Sequence, residues 1–345
     1  MSFQDSKTIQ LFNNSTNDIQ EIAELLQRAK HSHDQQESLD LLRGIIHECD
    51  KLVRMMHLNQ SKQTTKEFYY YYSQALLRLG FLSPLDEFLD FIHASMDQIE
   101  LGLEKNPLDE TDASFQAFLI QAQAHLLLIL STETLNHELA EKAYNLLSIN
   151  KDSKYFDEQA IVDMALTAQK YADASSNDWE ITKKWNLFSI ELLSKIATST
   201  STESSQDSKK QALAFIEIGQ AYLNLANFYA LDDQEDDDDD MGCCSDPDAA
   251  REWLDKAVIS LTKGLDLSAD QAQGWALLGE VYIYLGNLCL EDEEAMNSYY
   301  QMAVTEFKKC LDLDPDSLPD HFLDFMADLE ASQDERSNNI EIIQH

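Results

Sequence analysis

The side chains most able to do chemistry lie together at His47-Glu48-Cys49-Asp50, where an imidazole, a thiol and two carboxylates offer the donors of a metal site or of acid–base work. Their spacing works against convergence. Helical residues turn by about 100° from one to the next, so four in a row point four ways, and only His47 with Asp50 could supply two ligands of an incomplete site. The ordinary expectation is that Cys49 packs inward beside Ile45, Ile46 and Leu52, while its polar neighbours cap or bridge adjacent helices. Elsewhere the sequence has no G-x-x-x-x-G-K-[ST], H-E-x-x-H, G-x-S-x-G or spaced C-x-x-C pattern, and its nine histidines are scattered. Catalytic residues, a resident metal and a cofactor are therefore not expected.

Charge is the more informative property of this segment. Arg43, His47, Lys51 and Arg54 recur at i, i+4, i+8 and i+11, on one helical face, in a chain with 25 Lys+Arg against 63 Asp+Glu and a net charge of −38. Two uses are open. The stripe docks on an acidic partner surface, or it pairs internally with Glu37, Asp40 and Glu48, as charges on helices commonly and weakly do. Arg43, His47, Asp50, Lys51 and Arg54 are accordingly the candidate partner-binding residues. The acidic excess repels phosphate backbones, so nucleic-acid binding is not expected. Asp236 to Asp240 lacks the alternating ligands, turning glycine and terminal glutamate of a calcium loop. Cys243-Cys244 has nothing basic nearby to lower a thiol pKa. Phe68 to Tyr72, five aromatics in a row, would face all round a helix: core packing, or a partner-binding aromatic patch.

These residues must be positioned by helices. Only 9 Gly and 5 Pro occur in 345 residues, while 44% of the chain is hydrophobic. Strand-rich folds need frequent turns and phosphate-cradling folds need clustered glycines, so an all-α chain with long helices remains. Pro84, Pro107, Pro247, Pro315 and Pro319 fall between apolar-periodic segments. The domain expectation is a degenerate helical-repeat region over 17–197, a Ser/Thr-rich joint at Thr198 to Ser208, and a second repeat region over 212–329 carrying the acidic insertion 232–240. The tail after Ala331 is expected to fray. Five cysteines without disulfide spacing suit a reducing compartment. Met1 to Asn14 shows no signal-peptide pattern, the apolar stretch at Leu126 to Leu130 is too short to span a bilayer, and no Lys/Arg cluster suggests an import signal.

An internal repeat is the strongest pattern. Trp275-x2-Leu278-Gly279-x2-Tyr282, then Ala303-x3-Phe307-x2-Cys310-x4-Pro315, has the spacing of a tetratricopeptide repeat, with Cys310 in place of a small Ala. Gly279 and Ala303 are expected to let the two helices approach, and Pro315 to stop the second. A second copy reads Phe215-x2-Ile218-Gly219-x2-Tyr222 with Ala257-x3-Leu261-x2-Gly264, interrupted by the acidic run. Weaker matches occur at Phe115-x2-Phe118 with Ala122 and at Ala140-x3-Tyr144-x2-Leu147, and related helix ends recur at Ile99 to Leu103, Leu261 to Leu265 and Phe307 to Leu311. The expected architecture is a tetratricopeptide-like helical-repeat solenoid of stacked antiparallel helix pairs.

Three blocks carry a family resemblance: Gly44-Ile-Ile-His47-Glu48-Cys49-Asp50-Lys51-Leu52-Val53-Arg54, then Ile99-Glu-Leu-Gly102-Leu, then Trp275 with Val281-Tyr282-Ile283-Tyr284-Leu285-Gly286-Asn287-Leu288. They resemble, in order, blocks of the fungal enhancer-of-translation-termination family, which includes a nuclear negative regulator of a 2-oxoglutarate and Fe(II)-dependent oxygenase in the hypoxic sterol response. The resemblance implies a non-catalytic, all-helical adaptor that binds such an oxygenase and restrains its promotion of transcription-factor degradation. It also implies support for translation termination and a nuclear, in part cytoplasmic, location, although the family's lysine-rich start has no match here. It brings no catalytic residues. The competing readings are a tetratricopeptide chaperone, whose carboxylate-gripping groove would draw on Lys308, Lys309, Asn287 and Asn297, and a nuclear-transport carrier for basic cargo.

Overall fold

The computed structural model describes residues 15–32, 34–58, 65–106, 110–150, 158–198, 205–230, 246–289 and 291–343. The acidic run 232–240, Cys243, Cys244 and most of the expected joint at 198–208 lie outside them. Among the described residues the chain is all-α: α1 (Ser15–His31), α2 (Gln35–Leu58), α3 (Lys66–Leu82), α4 (Leu85–Leu103), α5 (Glu110–Thr134), α6 (His137–Asn150), α7 (Glu158–Ala174), α8 (Trp179–Ala197), α9 (Ser205–Ala230), α10 (Pro247–Leu267), α11 (Ala272–Asn287), α12 (Glu293–Leu313) and α13 (Asp320–Ile343). The helical-repeat class expected from the sequence is the one found. The last helix continues past Ala331 to Ile343, where fraying was expected.

Packing divides the helices into two compact units, Met1–Ala160 and Ile161–His345. In the second unit α7 and α8 pack with α9: Gln169 Nε2 donates to Ser189 Oγ at 2.9 Å and to the Glu217 carbonyl at 3.1 Å, and the Tyr171 ring meets Trp185 edge-on at 5.3 Å.

In the N-terminal unit α1 to α6 surround one core that runs from Ile22 to Leu130. Thr65 caps α3 by accepting from the Phe68 amide at 3.2 Å, an arrangement that contributes about 1 kcal/mol. Phe68, Tyr69 and Tyr72 of the aromatic run are buried, and Tyr70 and Tyr71 lie half-buried against Phe115, with ring centroids 5.6 and 5.7 Å away. The run is thus core packing between α3 and α5. Lys66 is wholly buried and donates from Nζ to the Gly102 carbonyl at 2.9 Å, placing a cation at the negative end of α4. Residues Ser114–Thr134 of α5 are long and apolar enough to cross a membrane, in contrast to the short stretch read from the sequence, yet 56% of that segment is buried in the fold. Its neighbours are the core residues of α3, α4 and α6, which accounts for its apolar length.

In the C-terminal unit the two repeat copies fall on α9/α10 and α11/α12. A Cβ at Gly219 would stand 2.5 Å from Leu261 Cγ, and one at Gly279 would run into the Phe307 ring. The glycines are where the second helix of each pair comes down on the first. Asp246 and Asp292 cap α10 and α12 alike, each accepting from the amide three residues on at 3.0 Å. Cys310 is buried, its sulfur 3.1 Å from Ser317 Oγ, and α12 ends at Leu313 ahead of Pro315.

Candidate partner-binding surfaces

The α2 sequence places two opposed faces on one helix. Leu41, Leu42, Ile45, Cys49 and Leu52 are buried, while Arg43, His47, Lys51 and Arg54 are exposed on the other side, so the structure brings the four cationic positions into one stripe. Lys51 pairs with Glu48 at 2.8 Å, and this hydrogen bond holds its ammonium above the ordinary lysine range. The other two expected internal partners do not serve the stripe: Glu37 sits 3.7 Å from Arg28, and Asp40 accepts from Gln36 Nε2 at 2.9 Å. Among the described residues Arg43, His47 and Arg54 form no ion pair.

Asp50 plays a different part. Half-buried, it accepts a hydrogen bond from the Tyr72 hydroxyl, joining α2 to α3. Burial first, then this bond, pushes the Tyr72 phenol well above its ordinary range; burial also drives the Tyr71 phenol up to about 12. Cys49 is fully buried, and desolvation raises its thiol pKa, so it is a packing sulfur. His47 and Asp50 therefore belong to different environments, one solvent and one interhelical. Among the described residues no three His, Cys, Asp or Glu side chains group closely enough to hold a metal ion.

In the C-terminal unit the four residues considered for a carboxylate-gripping groove are all engaged. Lys308 pairs with Glu330 at 3.0 Å, and Lys309 pairs with Glu306 at 2.6 Å while lying 4.2 Å from the Trp275 ring centroid. Asn287 accepts from the Tyr300 hydroxyl at 2.7 Å, and Asn297 donates to the Glu293 carbonyl at 2.7 Å. Three carboxylates of this unit have the opposite problem. Glu217, Glu280 and Asp173 are each pushed above the usual carboxylate range by desolvation. Sequence reading missed Glu217, which sits inside the first repeat copy at an otherwise apolar stretch, Phe215 to Gly219.

One further concavity lies in the N-terminal unit and was not anticipated. It is a cleft of about 520 Å³ bordered by Ala29, Lys30, Ser32, Gln35, Ser38, Leu42, Arg78, Phe81 and Leu82. Its signal in the sequence was divided among three helices, with no two of its charged residues in one segment.

Stacked helix pairs with a cationic stripe on one exposed face define a helical-repeat scaffold. Comparison with known proteins finds likenesses over parts of this chain. Residues 4–160 match the family model described as "Nuclear pore complex subunit Nro1". Proteins named "Enhancer of translation termination 1" from two strains of Candida albicans, WO-1 and SC5314, are 28% identical over 142 residues, 40% of this chain and 30% of theirs. Their namesake from Lodderomyces elongisporus is 38% identical over 100 residues, 26% of this chain and 20% of its own. The chain thus matches less than a third of the length of these relatives. A solved structure described as "The hypoxic regulator of sterol synthesis Nro1 is a nuclear import adaptor" superposes with a TM-score of 0.61 at 18% identity, covering 91% of this chain and 93% of that one. A structure of the S. pombe nuclear import adaptor Nro1 in space group P21 gives the same score and identity over 91% of this chain and 99% of that one. Likeness in sequence is thus found over the N-terminal part of the chain, and likeness in fold to the solved Nro1 structures over 91% of it. The Gly44 to Arg54 and Ile99 to Leu103 blocks fall inside the matched residues, and the Trp275 block falls outside them.

Proposed function

We propose that this chain is a non-catalytic adaptor of the nuclear-import kind, which binds and restrains a 2-oxoglutarate/Fe(II)-dependent oxygenase and so controls the stability of a transcription factor responsive to hypoxia and sterols. The observation that carries the reading is the match of residues 4–160 to the Nro1 family together with a shared fold over 91% of the chain. Support for translation termination belongs to the same reading through the relatives' name. In this role the chain acts in the nucleus and supplies no reacting group; it shifts its partner between states only by the difference in its affinity for them.

Arg43, His47, Lys51 and Arg54 are the proposed contact residues, and Asp50 supports them by anchoring α2 to Tyr72. Cations left exposed in a chain of net charge −38 favour a partner whose contact surface is acidic. A carrier for basic cargo is the second reading, favoured by that same charge and by the import-adaptor description of the structural neighbour. The chaperone reading is weakened, because Lys308, Lys309, Asn287 and Asn297 are already engaged.

Calorimetric titration of the chain with the candidate oxygenase tests this, at low and high salt and beside an Arg43→Glu/Lys51→Glu/Arg54→Glu variant. Tight, salt-sensitive binding that the variant loses without losing helicity is expected. Unchanged affinity in the variant would overturn the site assignment, and no binding by the wild type would overturn the choice of partner.

A further inference from the structure

We propose that the cleft between the C-terminal end of α1, the start of α2 and the C-terminal end of α3 is a docking site for an acidic peptide segment of a partner protein, with an apolar side chain seated on Phe81, Leu82 and Leu42 and carboxylates directed to Lys30 and Arg78.

Composition makes the charge of this cleft informative. Acidic residues outnumber basic ones by 63 to 25 in the chain, yet the charged residues bordering the cleft are both cationic. Lys30 and Arg78 also interact within the fold, so they are held in place, and an incoming carboxylate shares them. Two acidic side chains near the start of α2 are already occupied: Glu37 by Arg28 at 3.7 Å and by the Ser32 hydroxyl at 2.9 Å, and Asp34 by the Gln36 and Glu37 amides at 2.9 and 3.4 Å. Ser38 is likewise committed, its hydroxyl donating to the Ala29 carbonyl at 3.0 Å, which ties α2 to the end of α1.

The apolar side of the cleft is independently unusual. Phe81 is 58% exposed, the most exposed of the large hydrophobic side chains in the described residues, and its ring leans on Phe88 at 5.4 Å. An aromatic ring held out of the core beside two cations has the composition of an interface centre, where a buried apolar anchor is flanked by charge. The site is separate from the α2 stripe. Gln35, Ser38 and Leu42 lie on the flank of α2 that turns toward α1 and α3, whereas Arg43, His47, Lys51 and Arg54 face away from it. The chain therefore carries two cationic surfaces, a stripe and a cleft, and the cleft is selective because it also requires an apolar residue. It stands independently of the oxygenase reading.

Panning a random peptide library on the full chain, after clearing it against a Lys30→Glu/Phe81→Ser variant, tests the proposal. Both substituted side chains reach solvent, and circular dichroism and thermal melting check that the variant folds as the wild type does. The expected result is enrichment of peptides combining Asp or Glu with a large apolar residue. Their binding should weaken by about tenfold or more in the variant and with added salt, as for charge-steered contacts. An Arg78→Gln variant should lose part of the affinity, and replacing the acidic residues of a selected peptide by Gln should abolish binding. Enrichment of basic or purely apolar sequences, no enrichment at all, or equal binding by the folded variant would each overturn the proposal.

Discussion

The two units of this protein share one packing device, a helix seated over glycine, and differ in what surrounds it. In the C-terminal unit helices approach over glycine: Leu261 sits on Gly219 and Phe307 on Gly279, at the same position of each repeat copy. In the N-terminal unit Tyr69 and Leu119 likewise close on Gly102, but the layers are also filled by a run of aromatics and by a buried lysine, with Phe68 and Tyr72 inside and Lys66 tied to the end of α4. The first solution is periodic and carries the repeat signature. The second is particular to its own residues, and it lies in the part that matches the Nro1 family. What identifies the scaffold and what identifies the relatives are thus found in different halves of the chain.

The sharpest way to break the comparison is at Phe307. Phe307→Ala should destabilise the protein by about 3–5 kcal/mol, the cost of a large cavity in a packed core, read as a fall in the urea midpoint. Gly279→Val should cost about 1–3 kcal/mol through overpacking. Because both changes act on one contact, the double variant should lose less than the sum; strict additivity would show that the glycine does not seat that ring.

Gly44 provides the contrast. A Cβ there would meet nothing within 4 Å, so this glycine, in the middle of α2, has no steric use. Gly44→Ala should therefore raise stability by about 1 kcal/mol, the helix-propensity difference, and a loss on thermal or urea unfolding would refute the open surroundings.

The smallest effect depends on pH. Desolvation raises the pKa of Glu217 in the folded state, which then holds its proton to a higher pH than the unfolded chain does. Folded protein is consequently favoured below that window and loses stability as pH rises through the folded pKa. Glu217→Gln should raise the urea midpoint at neutral pH, and its advantage should close as pH falls through the carboxylate range. A gap that is constant with pH would assign the effect to packing.

Much of this was legible in the residues. Few glycines and prolines, with apolar positions at helical spacing, determined an all-α chain. The repeat spacing located α9 to α12, because a helix pair that approaches over a small residue leaves that residue at a fixed offset. The cationic stripe was also legible, since positions four apart on one helix share a face whatever else the chain does. Tertiary structure alone decided the rest. Asp50 and Tyr72 are 22 residues apart, so no local spacing could show that the carboxylate serves its own fold. That α7 and α8 take α9 as their neighbour is a non-local preference, since Gln169 and Glu217 are 48 residues apart. The cleft is the plainest case. Lys30, Leu42, Arg78 and Phe81 come from three helices, and only their packing turns scattered residues into a shaped, charged surface.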